Sequence, residues 1–322
     1  MFRNARILFV FVIALLAMTA SAEFIYKTFD DSMHAPSKFQ SDPTYLFLKR
    51  IYEKNNPSVI KGSINSIPKT IHQIWLGPRP IPEEYLENSK KWQKLHPSWQ
   101  YKLWREADIE SWNFQSKDLF NKASSYQEKA DILRYEILQK HGGLYADMDY
   151  KPLKSFDEVH CKYDFYGTIE PLHSENQNLT IPNSIVASAP NNPIFYKTLQ
   201  QIRSHWNESE DIFKKAATKM EEKKLIHLAV NRSMMPFHKV VIETLPILEK
   251  SVIFPTSYMS IEERDSWLDK TKAFFGIIDS KLYFRIPKPE TMAVQKRGSR
   301  KISNLTNIKF KEPWYKFFSS AD

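Results

Sequence analysis

The sequence Gly142-Gly-Leu-Tyr-Ala-Asp-Met-Asp149 lies near the middle of the 322-residue chain and joins two contrasting segments. The preceding residues, 128–141, place apolar side chains on one stripe, which is typical of a helix packed on a core. The two glycines predict the end of that helix. The residues that follow, 144–150, are predicted to form a short strand.

Two apolar runs lie on the amino-terminal side of this segment. Residues 70–76 and 100–104 predict strands. Pro82-Glu83-Glu84 predicts a helix between them, because proline suits the first turn and acidic residues complement the helix dipole. Strands that alternate with helices predict an α/β sheet with helices packed on it. Later segments continue the pattern, with strands predicted at residues 165–169, 184–188 and 252–254 and a mostly helical lobe at residues 202–250.

Asp147 and Asp149 are the candidate metal ligands. On a strand, alternate side chains share a face, so these two carboxylates are predicted to point to one side and Met148 to the other. Two carboxylates form a hard oxygen site suited to Mg²⁺ or Mn²⁺. Such a metal would bridge the phosphates of a nucleotide sugar and stabilise the leaving diphosphate. There is no glycine-rich phosphate-binding motif in the chain.

Asp131 and Arg134 lie three residues apart, on one face of the predicted helix. One interpretation is a partly buried structural ion pair. The other is that the helix directs both groups into the pocket of the D-x-D pair, where a carboxylate suits hydroxyl groups and a guanidinium suits phosphate. The short Gly142-Gly143 turn makes the helix and the D-x-D pair neighbours, which favours the second interpretation.

Five ordered motifs carry a family resemblance, which covers about residues 67–155. They are Ile67-Pro-Lys-Thr-Ile-His-Gln-Ile-Trp-Leu-Gly77, Trp92 with His96-Pro97, Tyr101-Lys-Leu-Trp104, Ala130-Asp-Ile-Leu-Arg-Tyr135 and the D-x-D segment itself. The chain resembles D-x-D glycosyltransferases: yeast-type initiating α-1,6-mannosyltransferases, inositol-phosphoceramide mannosyltransferases, vertebrate α-1,4-galactosyl- and N-acetylglucosaminyltransferases, and bacterial capsule enzymes. Clostridial glucosylating toxins are more distant relatives. A weaker match continues through residues 183–193.

The resemblance implies a GT-A fold, in which a Rossmann-like nucleotide-sugar-binding sheet carries helices on both faces and joins a helical acceptor-side lobe. It also implies an activity: retaining, metal-dependent transfer of a hexose from GDP-mannose or a UDP-hexose, commonly with Mn²⁺. The acceptor would be a glycan, a glycolipid or a protein.

Residue roles follow from the same resemblance. Asp131 and Arg134 match the pair that holds the transferred sugar, and Trp75 matches the aromatic residue beside the donor base, with a core tryptophan as the alternative. Asn183 matches a position beside the donor site, toward the acceptor. His72 is predicted to be a satisfied core histidine.

The D-x-D residues also receive roles from the resemblance, and the carboxyl-terminal segment departs from it. Asp147 matches the residue that bridges the ribose and sugar of the donor, and Asp149 the principal metal ligand. Many relatives complete the metal site with histidine where this chain has residues 293–300, and have Thr-Gly-Pro where it has Met234-Met-Pro236. Gln295 offers an amide oxygen as a further ligand.

In place of the histidines, Lys296 or Arg297 would neutralise the diphosphate directly. Two functional alternatives stay open. The first is that the site is weakened and that the chain is a sugar- or lipid-binding relative. A metal-dependent phosphohydrolase is the second alternative, but it leaves Trp75 and the Asp131/Arg134 pair unexplained.

The amino terminus resembles a targeting segment. Within residues 1–22, two arginines precede about 14 apolar residues and Ala20-Ser-Ala22, the pattern of a cleaved signal peptide. An uncleaved signal-anchor and a buried helix are the alternatives. Either membrane-targeting interpretation predicts that the remainder lies in the Golgi lumen, in the periplasm or outside the cell.

The domain organisation follows from these boundaries. Residues 23–66 are predicted to be a stem or an N-terminal helical segment, and residues 67–322 the GT-A domain. Within it, residues 67–155 form the donor and metal half, and residues 156–322 the acceptor half with a basic tail. The net charge of +9 is densest in that tail. We interpret the tail as a solvated face, with a diphosphate or membrane-surface patch as the alternative. Because no nucleic-acid-binding motif accompanies the basic residues, no nucleic-acid partner is predicted.

Overall fold

The computed structural model describes residues 27–33, 35, 39–123, 125–170, 179–209, 222–259 and 290–295, with side chains omitted for 222–231. The predicted signal segment and the basic tail from residue 296 onward lie outside these ranges. Within them, no helix combines the length and the apolar character needed to span a bilayer.

Among the described residues, eight strands form two sheets. In chain order they are β1 Thr70–Ile74, β2 Gln100–Trp104, β3 Gly143–Ala146, β4 Tyr150–Pro152, β5 Phe165–Thr168, β6 Ile185–Ser188, β7 Ser251–Phe254 and β8 Ala293–Gln295. The central sheet has the order β2-β1-β3-β6-β5-β7, and β4 pairs with β8 in a small second sheet. Strands β2, β1 and β3 are mutually parallel, whereas β6 runs antiparallel to both β3 and β5.

The helices follow the predicted alternation. They are α1 Phe29–Met33, α2 Pro43–Asn55, α3 Glu83–Leu95, α4 Glu106–Glu110, α5 Lys117–Lys122, α6 Tyr126–His141, α7 Asp157–His160, α8 Pro193–Ser204 and α9 Glu222–Thr244. Helix α3 connects β1 to β2, and α4 to α6 connect β2 to β3. Helices α6, α8 and α9 pack on one another. The predicted α/β architecture is confirmed.

Helix α6 ends at His141, as predicted, and begins at Tyr126, two residues before the predicted start. The Ser125 side chain accepts a hydrogen bond from the Glu128 amide (3.2 Å) and caps the first turn. Gly142 and Gly143 have φ of 62° and 96°, a region that favours glycine. A Cβ on Gly143 would lie 2.7 Å from the Thr70 carbonyl oxygen, so this turn lets β3 pair closely with β1.

The strand predicted over residues 144–150 is wrong at its carboxyl end. Strand β3 ends at Ala146, and the chain then turns, with the Tyr150 amide donating to the Asp147 carbonyl (3.0 Å). The Asp147 amide still donates to the Ser184 carbonyl (2.8 Å) beside β6. Asp147 and Asp149 are half-buried and Met148 is buried, and a turn rather than strand alternation produces this arrangement.

The amino-terminal helices pack on the far edge of the central sheet. The ring of Tyr52 in α2 meets Phe254 of β7 edge-on, with 6.4 Å between ring centroids. Its hydroxyl donates to the Lys27 carbonyl (2.8 Å) and lies 2.9 Å from the Tyr258 hydroxyl. Helix α2 therefore shares the hydrophobic core of the sheet.

Candidate functional site

The D-x-D turn lies where the direction of the sheet changes. Strands β1 and β3 are parallel, so Trp75 and Asp147, which follow their carboxyl ends, emerge at the same edge of the sheet. The next strand, β6, runs in the opposite direction. In open α/β sheets, ligands bind outside the carboxyl ends of the strands. The fold therefore presents the D-x-D residues at the expected position for a ligand site.

Asp131, Arg134 and Asn183 form a buried network between α6 and the segment before β6. The Arg134 Nη2 atom lies 3.0 Å from Asp131 Oδ1, and Nη1 donates to the Asn183 carbonyl (2.5 Å). The Asn183 side-chain amide donates to Asp131 Oδ1 (3.0 Å). Both charged side chains are only 6% exposed. The predicted ion pair is therefore present, and it is buried deeper than expected.

Asp147 joins this network to the D-x-D turn. Arg134 Nη2 donates to Asp147 Oδ1 (3.0 Å), and the Tyr145 hydroxyl donates to the same oxygen (2.7 Å). The Arg134 guanidinium also lies 4.3 Å from the centre of the Tyr145 ring. The Asp147 side chain is 31% exposed. One carboxylate oxygen thus anchors Asp147 to the protein interior, and the side chain still reaches the surface.

Burial and charge act in opposite directions on the buried pair. Burial raises the pKa of Asp131 to about 6, against the effects of Arg134 and of a hydrogen bond from Ser233. Burial also disfavours the charged form of Arg134, but Asp147, Tyr145 and Asp131 together raise its pKa above the ordinary value. Because Arg134 is shared by two carboxylates, we take it to be a cation and the pair to be ionised at neutral pH.

Asp149 and Gln295 meet across the small sheet. The register of β4 and β8 places Gln295 opposite Tyr150. The Gln295 side-chain amide then lies 3.1 Å and 3.4 Å from the two carboxylate oxygens of Asp149. The carboxyl-terminal strand therefore returns to the D-x-D turn, where sequence comparison expected a histidine ligand.

The donor set fits a divalent cation that is shared with a substrate. No cluster of three His, Cys, Asp or Glu side chains occurs among the described residues. Asp147 and Asp149 supply carboxylate oxygens, and rotation of the Gln295 amide would present its oxygen to the same site. Mg²⁺ and similar hard ions are commonly held by one or two carboxylates together with substrate phosphates. The site matches that pattern better than a cage made wholly of protein.

Trp75 and His72 differ in their environments. Trp75 lies just beyond β1 and is half-buried, its indole N–H donates to the Arg79 carbonyl (2.8 Å), and its ring meets Tyr85 edge-on. His72 is buried: one ring nitrogen bonds the Gly142 carbonyl (3.0 Å) and the other accepts from the Trp104 indole (3.2 Å). The prediction of a core histidine is confirmed, whereas Trp75 retains an accessible face.

Two residues of the network were missed in the sequence analysis. Tyr145 lies two residues before Asp147, so strand alternation would have placed it on the same side. Ser233 donates to Asp131 Oδ2 (2.6 Å), and its carbonyl accepts from the Tyr135 hydroxyl (3.1 Å). Ser233 lies in α9, about 100 residues from Asp131, and no local sequence pattern connects them.

Comparison with known proteins identifies the surrounding segment. Residues 82–166 match the family described as the glycosyltransferase sugar-binding region containing the DXD motif. A glycosyltransferase of Acanthamoeba polyphaga mimivirus is 29% identical over 160 residues, which cover 48% of this chain and 62% of the viral protein. Mannosyl phosphorylinositol ceramide synthase CSH1 of Saccharomyces cerevisiae is 27% identical over 210 residues, which cover 63% of this chain and 52% of the yeast protein.

Among solved structures, the PaToxG glycosyltransferase aligns with a TM-score of 0.41 and 19% identity, over 75% of this chain and 88% of its own. The resemblance to D-x-D glycosyltransferases is confirmed over the segment that contains α3, α6 and the D-x-D turn. Trp75 and His72 precede the matched segment.

Proposed function

We propose that this chain, which carries the sugar-binding region of the DXD-containing glycosyltransferases, transfers a hexose from a nucleotide sugar to a glycan, glycolipid or protein acceptor. One observation carries the proposal: Arg134 bridges the buried Asp131 and the half-exposed Asp147 at the carboxyl edge of the parallel strands. A cation and carboxylates held together at a ligand-binding edge suit a donor that has both phosphates and sugar hydroxyls.

Mannose is the first sugar that we propose. The yeast relative is named as a mannosyl phosphorylinositol ceramide synthase, which favours GDP-mannose over a UDP-hexose as the donor to test first. The same name favours a lipid-linked acceptor. Action on a lipid would agree with the predicted membrane-targeting segment at residues 1–22 and with a lumenal or extracellular location.

Asp149 and Asp147, with the Gln295 amide, are proposed to hold a divalent cation, Mn²⁺ or Mg²⁺. When bound, that ion would stabilise the charge on the leaving diphosphate. Asp147 has a second connection, because Arg134 and the Tyr145 hydroxyl hold its Oδ1 atom. These two hydrogen bonds fix the direction of the Asp147 carboxylate before the nucleotide sugar binds. The site therefore needs less reorganisation during the reaction.

Transfer is proposed to retain the anomeric configuration, with the acceptor hydroxyl attacking from the face that the diphosphate leaves. This route needs no nucleophile from the protein. Positive charge that develops on the sugar ring would be stabilised by the carboxylate of Asp147, which Arg134 orients. The chain would then act by positioning the reactants and by fixed charges.

A donor-cleavage screen tests the proposal. Residues 23–322 would be incubated with GDP- and UDP-sugars in Mn²⁺, Mg²⁺ or EDTA, and released nucleoside diphosphate would be measured. We expect release from one donor that requires metal and is lost in Asp149→Ala. Asp118→Ala, which removes an exposed carboxylate paired with Arg203 on the surface, is the matched control and should keep full activity. Equal turnover in Asp149→Ala and the wild type would exclude this site.

A further inference from the structure

The backbone of the D-x-D turn is held by buried side chains from β1 and α3. The Gln73 side-chain amide lies 3.4 Å from the Asp147 carbonyl oxygen, and that of Asn88 lies 3.3 Å from the Met148 carbonyl oxygen. The Trp92 indole N–H donates to the Tyr150 carbonyl (3.0 Å). Three carbonyl groups in one turn therefore accept hydrogen bonds from β1 and from the inner face of α3.

The orientation of the Gln73 amide is fixed by a hydrogen bond to its side-chain oxygen. The Tyr101 hydroxyl donates to the Gln73 side-chain oxygen (2.7 Å), so the other end of that amide is the N–H₂ group that faces the turn. Gln73 and Trp92 are fully buried, and Asn88 is 3% exposed. A buried carbonyl that loses its partner is costly, so these contacts restrict the conformations open to the turn.

Of these three side chains, Asn88 bonds the carbonyl group that is linked directly to Asp149. The Met148 carbonyl belongs to the peptide group that also contains the Asp149 nitrogen, and a peptide group is planar. A hydrogen bond to that carbonyl therefore restricts the orientation of the peptide group from which the Asp149 backbone continues. On the opposite side, the Gln295 amide contacts the carboxylate itself.

We infer that Asn88 is a positioning residue that orients Asp149 for a divalent cation. This inference rests on the proposed function and adds a role for helix α3. Groups that orient metal ligands commonly change metal affinity by about 10- to 100-fold when they are removed. A residue that only stabilises the fold would change the melting temperature without a selective effect on the metal.

The chain contains a matched control for that distinction. Asn55 is also 3% exposed, and its side-chain amide donates to the carbonyls of Glu249 (3.0 Å) and Ser251 (2.8 Å). It therefore has the same chemistry and burial as Asn88, but it serves the edge of the sheet at β7. Replacing either asparagine with leucine removes a buried donor of the same size.

The experiment measures Mn²⁺ binding to residues 23–322 through the paramagnetic resonance signal of free Mn²⁺, together with the melting temperature. Asn88→Leu is expected to raise the Mn²⁺ dissociation constant by about 10- to 100-fold. Asn55→Leu is expected to lower the melting temperature and to leave that constant unchanged. If Asn88→Leu does not fold, Asn88→Ser replaces it, because serine shortens the side chain and loses contact with the carbonyl at a smaller packing cost.

The outcomes separate this inference from the proposed function. Wild-type Mn²⁺ affinity in the Asn88 variants, or an equal loss of affinity in Asn55→Leu, overturns the positioning role alone. Metal-dependent donor cleavage by the wild type would still support the transferase in that case. A wild-type chain that binds no Mn²⁺, either alone or with a saturating nucleoside diphosphate, overturns the metal assignment and the positioning role together.

Discussion

Two aspartates on either side of Arg134 differ in how the protein surrounds them. Asp131 is almost fully buried and accepts hydrogen bonds from Asn183 and Ser233 in addition to its contact with Arg134. Asp147 shares the same guanidinium, but its side chain is 31% exposed and follows the end of β3. We interpret this difference as a supporting role for Asp131 and an accessible position for Asp147, and the expectation that both contact the donor stays a prediction.

The largest expected effect on stability is that of replacing Asp131, the buried aspartate. Asp131→Ala should lower the free energy of unfolding by about 3–5 kcal/mol, because it breaks a buried ion pair and leaves Asn183 and Ser233 without their acceptor. Chemical denaturation measures this loss. Asp118→Ala, which breaks the exposed pair with Arg203, should cost about 1 kcal/mol at most. Similar losses in the two variants would contradict the structural role of Asp131.

The glycine turn that connects the two aspartates is the next test. Gly143→Ala should cost about 3 kcal/mol, because it combines an unfavourable φ with a clash against the Thr70 carbonyl. Gly62 also has a positive φ of 78°, but no atom lies within 4 Å of a Cβ added there. Gly62→Ala should therefore cost only about 1–2 kcal/mol. If thermal unfolding shows equal losses of stability in the two variants, the close approach of β3 to β1 does not add to the effect of Gly143→Ala.

Acid should weaken the strand pair that positions Asp147. Burial lowers the pKa of His72 to about 4, whereas the unfolded chain binds this proton near pH 6.5. The contribution of neutral His72 is therefore complete above pH 6.5 and declines as the pH falls toward 4. The expected slope is about 1.4 kcal/mol per pH unit for this group. Between pH 7.5 and 4.5, the free energy of unfolding should fall less per pH unit in His72→Gln than in the wild type. Equal pH dependence in the two proteins would refute the assignment.

The smallest expected effect on stability is that of replacing Asp147, the more exposed aspartate. Asp147→Asn keeps the shape of the side chain and should change the free energy of unfolding by about 1 kcal/mol or less, because the group is partly solvated. Donor turnover should nevertheless fall by about 100-fold or more, since a fixed charge at the reacting centre is lost. Denaturation and donor-cleavage assays on one preparation measure both. A stability loss as large as that of Asp131→Ala would remove the contrast between the two aspartates.

Local sequence patterns predicted the elements that bear the site. Helix α6, the glycines that end it and the strands β1 and β2 follow from apolar periodicity and from turn residues whose conformations other residues adopt at a cost. The pairing of Asp131 with Arg134 followed from helical spacing. The D-x-D pair was predicted as part of a strand, because the two aspartates alternate with apolar residues up to Tyr150 and this pattern does not show where pairing with β6 stops.

The sequence by itself determined the α/β class, the position of the D-x-D pair after a helix and a glycine turn, and the family resemblance of residues 82–166. Each depends on spacings within a few residues or on an ordered set of motifs. Only the tertiary structure decided that Ser233 supports Asp131, that Gln295 reaches Asp149 and that Asn88 holds the turn. Such contacts join residues that are 60 to 146 positions apart. Their partners are selected by the packing of helices and sheets, which no local periodicity records.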